Sequence, residues 1–487
     1  MDKYLVVLSS LSMISVNGFN LHGTESDANK PNVIFILADD LGWADLPVYG
    51  NQFNEAPNID KLAEDGIRFT NAYAASPVSS PTRASIMSGQ YPARLGINDF
   101  ILGHWRPYEQ VTVPRNRTQF LPEEIITIGE IMKMAGYSTG YFGKWHLGVE
   151  PQHHPLRQGF DEANIGQGAY NVKFNPPRES KNSIRFSDQI TEFGLQFIEK
   201  NRDRPFFLLL SHSDVHVQLN ADSTLINKYL NKKTVPGYPG NAVYAAMVEH
   251  LDTNIGEIMD KLEETGLENN TILIFYSDNG GLIARYDRIP LIAEDKIPIY
   301  KDSPLKYIAS SNAPLRAEKG TLYEGGIRVP LIIRWPGKIP EGKVSEAIVS
   351  SIDFYPTLLD ITGIPAPSDQ IIDGKSILPA ITRDEYNPER TIFWHYPVYH
   401  HDVPTSAVRN GNWKLIENLV TNDLSLYNLR YDLGENLNLV DLYPEKACEL
   451  ESLLNNWQEY IRADFPVMNP AFDENKRFQW GKYPFEE

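Results

Sequence analysis

Val33-Ile34-Phe35-Ile36-Leu37-Ala38-Asp39-Asp40 is an uninterrupted apolar run that stops on two adjacent carboxylates. A run with no polar alternate suits a strand covered on both faces, the condition of a parallel sheet between helices. The pattern recurs. Tyr137 to Phe142 leads into Gly143-Lys144-Trp145-His146, Phe206 to Leu210 leads toward His212 and His216, and Ile272 to Tyr276 leads into Asp278-Asn279. Between these runs lie helical patterns, the clearest being Val248, Leu251, Ile255, Ile258 and Leu262, stopped by Gly266. The alternation predicts an α/β fold: a large, mostly parallel sheet sandwiched by helices, with ligands bound beyond the strand carboxyl ends. From about Pro365 the texture changes to Pro and Gly punctuation with short strand candidates at Ser406 to Arg409, Trp413 to Ile416 and Leu424 to Tyr427, then a helix from Glu445 to Ile461. The expected division is a larger domain over residues 30–370 and a smaller C-terminal α+β subdomain with an antiparallel sheet over 371–487.

The 487 residues can bury a substantial core. Lys3 followed by the apolar run Leu5 to Val16 and then Asn17-Gly18 reads as a secretory leader, expected over residues 1–22, so a secreted or periplasmic location follows. The run is short for a bilayer span, and no stable membrane insertion is expected. Cys448 stands alone, so no intrachain disulfide forms and compartment cannot be argued from cysteine pairing. A net charge of -18 argues against nucleic acid as a partner. An anionic ligand must therefore find a local cationic pocket.

Ser79-Ser80-Pro81-Thr82-Arg83 offers one. Proline at a first helical position lacks only an N–H that would be unpaired anyway, which places Ser79 just ahead of a helix, where anions are favoured. Asp39, Asp40, Asp278 and Asn279 bring hard oxygen donors from two strand ends, a set that calcium or magnesium accepts. Asp40 with Gly42, and Asn279 with Gly280, also read as plain turn formers after strands. Lys144 and His146, two apart on an expected extended segment, point to one side.

Cys/Ser-x-Pro-Ser/Thr-Arg is the signature of the formylglycine-dependent type I sulfatases of the alkaline phosphatase superfamily, and the stretch from Ser79 to Gly89 resembles it in the serine form found in bacteria. The resemblance runs from Pro31 to about Pro336, more weakly around Ala407 to Leu415. It implies that Ser79 is oxidised by a maturase to 3-oxoalanine (formylglycine), whose hydrate attacks sulfate esters. Asp39, Asp40, Asp278 and Asn279, with the modified Ser79, would hold one divalent ion, usually Ca2+ and less often Mg2+. By the same resemblance Arg83 fixes the diol and the metal shell, Lys144 and Lys319 hold sulfate oxygens, His146 orients or deprotonates the diol, and His216 protonates the departing alcohol. His212 is the fallback for His216, because the chain has Val215-His216 where the family shows a Pro-His pair. Ala317-Glu318 stand where the family frequently has glycines, making Glu318 a competitor for Lys319, and Arg328 is expected to form a structural ion pair.

Substrate contacts are expected from loops around this centre: Asn98, Asp99, His104 and Arg106 after the nucleophile helix, Arg285 and Arg288 in the segment 282–312, and His400 and His401 from the second subdomain. The resemblance implies a sulfated glycan, with glycosaminoglycan, mucin glycan and algal galactan all open. Two rivals stand beside it: phosphomonoester or phosphonate hydrolysis on the same fold, and a catalytically silent glycan-binding protein in which Ser79 stays serine.

Overall fold

A computed structural model describes residues 30–103, 105–179, 184–285 and 287–481. The leader expected over 1–22 and the candidate His104 lie outside the described residues. Among the described residues, no helix is long and apolar enough to cross a membrane.

Eight strands form the main sheet: β1 (Asn32–Ala38), β2 (Ile67–Tyr73), β3 (Ser138–Gly143), β4 (Glu162–Ile165), β5 (Phe206–Ser211), β6 (Thr271–Ser277), β7 (Leu331–Arg334) and β8 (Lys343–Ser350). Their spatial order is β4-β3-β5-β1-β6-β7-β2-β8, and only β7 runs antiparallel to its neighbours. The helices that matter for the site are α1 (Ser79–Ser88), α2 (Phe186–Asn201), α3 (Ala242–Glu264), α4 (Phe354–Thr362) and α5 (Pro444–Ile461).

The continuous apolar runs are explained by two cores. Ile34, Ile36 and Ala38 pack with α2 and α3 on one face, through Phe197, Val248 and Ile255. Val33, Phe35 and Leu37 pack on the other face against Ile86, Phe354 and Leu358 of α1 and α4. Period-two alternation divides one strand between two apolar layers, so every position in it is buried.

Four further strands, β9 (Thr391–Tyr396), β10 (Thr405–Asn410), β11 (Trp413–Asn418) and β12 (Leu424–Asn428), form an antiparallel sheet in sequential order. Helix α5 covers one face of it through Leu450, Leu454 and Trp457. The other face packs on the main domain through Trp394, Ile416, Tyr73 and Ile327. A buried charge network joins the two parts. Lys414 Nζ reaches Glu324 Oε1 at 2.9 Å and Glu435 Oε1 at 2.8 Å. Arg328 Nε donates to Glu324 Oε2 at 2.6 Å, the structural ion pair expected for that arginine.

Candidate active site

β1 and β6 are hydrogen-bonded neighbours in register, Ala38 beside Ser277, so Asp39-Asp40 and Asp278-Asn279 leave the sheet side by side. Asp278 N donates to Ala38 O at 3.1 Å, and Asp40 N donates to Asp278 Oδ1 at 3.2 Å. A separation of 238 positions between Asp40 and Asp278 is therefore bridged by one strand pairing.

Helix α1 starts on Ser79 itself, with Val78 as its cap, and so begins earlier than the sequence implies. Pro81 sits third in the helix, where its missing N–H is still one of the unpaired first-turn donors. Ser79 Oγ lies 3.3 Å from Asp39 Oδ1 and 3.4 Å from Asn279 Oδ1, and Lys144 Nζ donates to it at 3.2 Å. Arg83, one turn on, forks onto Asp278 Oδ2 through Nε at 3.0 Å and Nη2 at 2.7 Å. Its Nη1 donates to Lys144 O at 2.9 Å and to Ser211 Oγ at 2.5 Å.

Lys144 Nζ donates to Asp39 Oδ2 at 2.7 Å, and Lys319 Nζ donates to Asp40 Oδ2 at 2.8 Å. Burial pulls the Lys144 ammonium below its ordinary range despite Asp39. Burial acts the same way on Lys319, but the pull of Asp40 and Asp39 outweighs it and raises that group. Both aspartates are held below the usual carboxylate range: burial opposes this, and Lys144 acting on Asp39 and Lys319 acting on Asp40 overcome it.

Residues 144–146 are not an extended segment. Gly143 at φ 121 and His146 at φ 60 turn the chain sharply, and a Cβ on Gly143 would fall 1.9 Å from Ser211 O. Even so, Lys144 reaches Ser79, and His146 lines the same cavity. His146 Nε2 lies 2.7 Å from Ile101 O. A carbonyl only accepts, so Nε2 carries the proton. Nδ1 then presents a buried lone pair with no protein partner. Burial, then Lys144 and Arg83, hold this imidazole well below its ordinary range.

His216, not His212, faces the cavity. Its side chain is 24% exposed, Nε2 lies 3.7 Å from Asp40 Oδ2, and Nδ1 is 2.5 Å from Val217 O. Burial lowers this imidazole too, with Asp40 opposing. The segment is held by Asp39 N donating to Asp214 O at 2.9 Å and Val215 N donating to Asp39 O at 2.7 Å. His212 is an interior histidine, 1% exposed, which burial pushes down to about 4.

Glu318 does not compete for Lys319. Its Oε2 accepts from Ile283 N at 2.5 Å and Ala284 N at 3.1 Å, and its Oε1 faces His401 Nδ1 at 3.4 Å. Just before Glu318 and Lys319, Ala317 stands at φ 59, a conformation that suits glycine.

A divalent cation fits the donors present. Asp39, Asp40, Asp278 and the Asn279 amide are fully buried oxygen carriers, and Asn279 spends its Nδ2 on Asp40 Oδ1 at 2.8 Å, leaving Oδ1 toward Ser79. Hard, all-oxygen sets of this kind suit calcium or magnesium. Ligand atoms of Asp39, Asp40 and His216 also lie within 4.8 Å of one another. An imidazole ligand belongs to softer metals, so the oxygen set is the better description.

The cavity over Ser79 and Lys319 has a volume of about 1130 Å³. Of the expected substrate contacts, Arg106, Arg285, His400 and His401 line it. Asn98 and Asp99 are buried instead, their N–H groups donating to Asn116 Oδ1 at 2.6 and 2.8 Å, and Tyr396 OH donates to Asp99 Oδ1 at 3.1 Å. Arg288 is exposed and does not line the cavity. Ser211, which orients Arg83, went unmarked in the sequence although it is the last residue of a strand. Glu109, Arg477, Phe478 and Trp480 also line the cavity and carried no signal, because the C-terminal segment reaches this wall only through the tertiary fold.

Residues 31–364 match the family model described as Sulfatase, and residues 317–460 match the model described as N-sulphoglucosamine sulphohydrolase, C-terminal. A protein named Sulfatase from Formosa agariphila is 31% identical, covering 89% of this chain and 89% of its own length. N-acetylgalactosamine-6-sulfatase from Homo sapiens is 32% identical over 77% of this chain and 70% of its own. Among solved structures, Ps i-CgsB in complex with k-i-k-neocarrahexaose matches with a TM-score of 0.73 at 27% identity, covering 92% of this chain and 96% of that one.

Proposed function

This chain belongs to the sulfatase family, and from that premise we propose that it removes sulfate from a glycan, through an aldehyde hydrate made from Ser79 and with a divalent cation, calcium before magnesium, held by Asp39, Asp40, Asp278 and Asn279. The observation that carries this reading is Ser79 Oγ placed within 3.4 Å of Asp39, Asn279 and Lys144 in a buried cluster opening to a large cavity. Glycan substrates are supported by the named activity of the human relative and by the oligosaccharide bound to Ps i-CgsB.

When present, the cation supplies Lewis acidity and the hydrated aldehyde supplies the attacking hydroxyl. Three carboxylates, Asp39, Asp40 and Asp278, face three cations, Arg83, Lys144 and Lys319, so the protein alone brings a near-neutral site to a sulfate monoester. Lys144 and Lys319 carry the donors that hold sulfate oxygens while negative charge builds on the group and its leaving oxygen. Arg83 locks Asp278 and, through Ser211, the carboxyl end of β5. His146 accepts a proton at Nδ1, the nitrogen left bare by its bond to Ile101. His216 keeps its Nδ1 proton on Val217 O, so it delivers a proton from Nε2 to the departing alcohol oxygen, as the S–O bond breaks, in its imidazolium form, which the nearby Asp40 favours.

An external maturase is the required partner, since serine does not oxidise itself, and the apolar run Leu5 to Val16, read as a leader, supports a secreted or periplasmic location. The test is peptide mass spectrometry on protein from its native host together with sulfate release from a sulfated glycan. Loss of two hydrogens at residue 79 with turnover is expected; an unmodified serine and no sulfate release would overturn the reading.

A further inference from the structure

The C-terminal segment folds back to build part of the cavity wall. Val467 and Met468 pair antiparallel with Thr112 and Val111. Beyond them, Asn469 N donates to Gln110 O at 3.0 Å, Asp473 N to Tyr108 O at 3.1 Å and Gly481 N to Trp105 O at 2.9 Å. This zipper places Arg477, Phe478 and Trp480 on the cavity that Ser79 and Lys319 also line.

The wall it builds combines aromatic rings with held charges. Phe478 is 70% exposed and Trp480 47% exposed, both beside the cavity. The Arg106 guanidinium lies 4.2 Å from the Trp480 ring centre, and its Nη2 donates to His400 O at 3.0 Å. Glu109, 1% exposed, sits between two guanidiniums: Oε1 is 3.4 Å from Arg106 Nη1 and Oε2 is 3.4 Å from Arg477 Nε. Glu474 Oε1 also lies 3.4 Å from Arg477 Nη1, so two carboxylates balance two arginines, and the wall is locally neutral on a chain whose net charge is -18.

Size and chemistry select the occupant. A cavity of about 1130 Å³ exceeds the usual range for a small-ligand pocket, so it holds more than the unit bearing the scissile sulfate. A sterol or other wholly apolar leaving group would meet Arg106, Glu109 and Arg477 and strip them of water without compensation. A pyranose offers an apolar C–H face for an aromatic ring and polar or anionic substituents at its edge for guanidiniums.

We propose that the returning C-terminal segment forms an outer sugar subsite, in which Trp480 and Phe478 pack on the ring next to the one carrying the scissile sulfate and Arg477 pairs with an anionic substituent of that ring. This subsite rests on the glycan sulfatase reading and makes the protein a reader of chain length.

The test compares full-length protein with Trp480→Ala and Arg477→Ala, each in a Ser79→Ala background that blocks turnover. Calorimetry measures binding of galactose 6-sulfate and of hexasaccharides from chondroitin sulfate and carrageenan. A hexasaccharide is expected to bind more tightly than the monosaccharide, and this preference, read as the ratio of the two dissociation constants, is expected to fall about tenfold in each variant. No length preference in the parent, or the same ratio in parent and both variants, overturns the subsite. Free sulfate is assayed in parallel on the Ser79 protein. If none is released from any ester while the length preference still falls in the variants, the subsite stands and the sulfatase reading is what fails.

Discussion

Lys319 and Asp40 meet at 2.7 Å across 279 positions of chain, and Lys319 lines the cavity. The pairing keeps the ammonium charged on a cavity that Ser79 also lines, as the proposed sulfate-holding role requires. Lys319→Ala is expected to lower turnover by about 10²- to 10³-fold, the usual loss for one positioned donor. Sulfate release measured by ion chromatography checks this, with far-UV circular dichroism to establish that the fold persists. Activity within threefold of the parent would remove Lys319 from the sulfate-binding role.

Cation removal has its own signature. Asp39, Asp40 and Asp278 repel one another wherever the three cations do not fully compensate them, so an added dication stabilises the folded state by mass action. At a hundredfold excess over its dissociation constant the gain is about 2.7 kcal/mol. Thermal unfolding in calcium against chelator is expected to show a higher midpoint with calcium, and Asp278→Asn to abolish most of the difference. Equal midpoints for the parent protein would count against a bound cation.

Asp45 provides a pH dependence away from the catalytic groups. Burial pushes its carboxyl up to about 6, although Gly42 N–H and the hydroxyls of Ser310 and Tyr244 donate to it. A carboxyl raised on folding adds stability below its unfolded value near 4, and that increment is lost as pH rises through 6. The two-unit shift corresponds to about 3 kcal/mol at most. Denaturant unfolding between pH 4 and 7 is expected to show this decline on top of other titrations, and Asp45→Asn to flatten it. An unchanged slope in the variant would show that Asp45 does not titrate in this window.

Ala317 holds a left-handed backbone at φ 59, between Arg316, which anchors on Glu435 O at 2.7 Å, and Glu318. Glycine relieves that conformation but makes the unfolded chain more flexible. Ala317→Gly is therefore expected to be neutral to about 1 kcal/mol stabilising, whereas Ala317→Val should lose about 1–2 kcal/mol. Midpoints of chemical denaturation decide this, and destabilisation by glycine would refute the strain argument.

The strand ends were readable because their signal is local. An unbroken apolar run such as Val33 to Ala38 tolerates no water on either face, so a parallel sheet follows, and the polar residues after Ala38 and Ser277 must emerge at its rim. Helix α3 and three of the four C-terminal strands, β10 to β12, were legible for the same reason, through period and punctuation, whereas β9 was not among the strand candidates. Less legible were backbone turns: the start of α1 on Ser79 and the left-handed His146 depend on what surrounds them. The choice of His216 over His212 rested in the sequence on its position and the residues that follow it, and the fold adds a loop tied to Asp39 that turns His216 to the cavity.

Sequence alone thus determined the α/β architecture and the chemistry available at Ser79, Lys144, Lys319 and the two acidic strand ends, because periodicity and residue type act over a few positions. Only the tertiary structure decided that Glu318 turns away from Lys319, that Asn98 and Asp99 are interior, and that Arg477 and Trp480 return to the cavity. Those outcomes depend on which backbone donors and acceptors lie within about 3 Å across hundreds of residues, and spacing along a chain does not encode that distance.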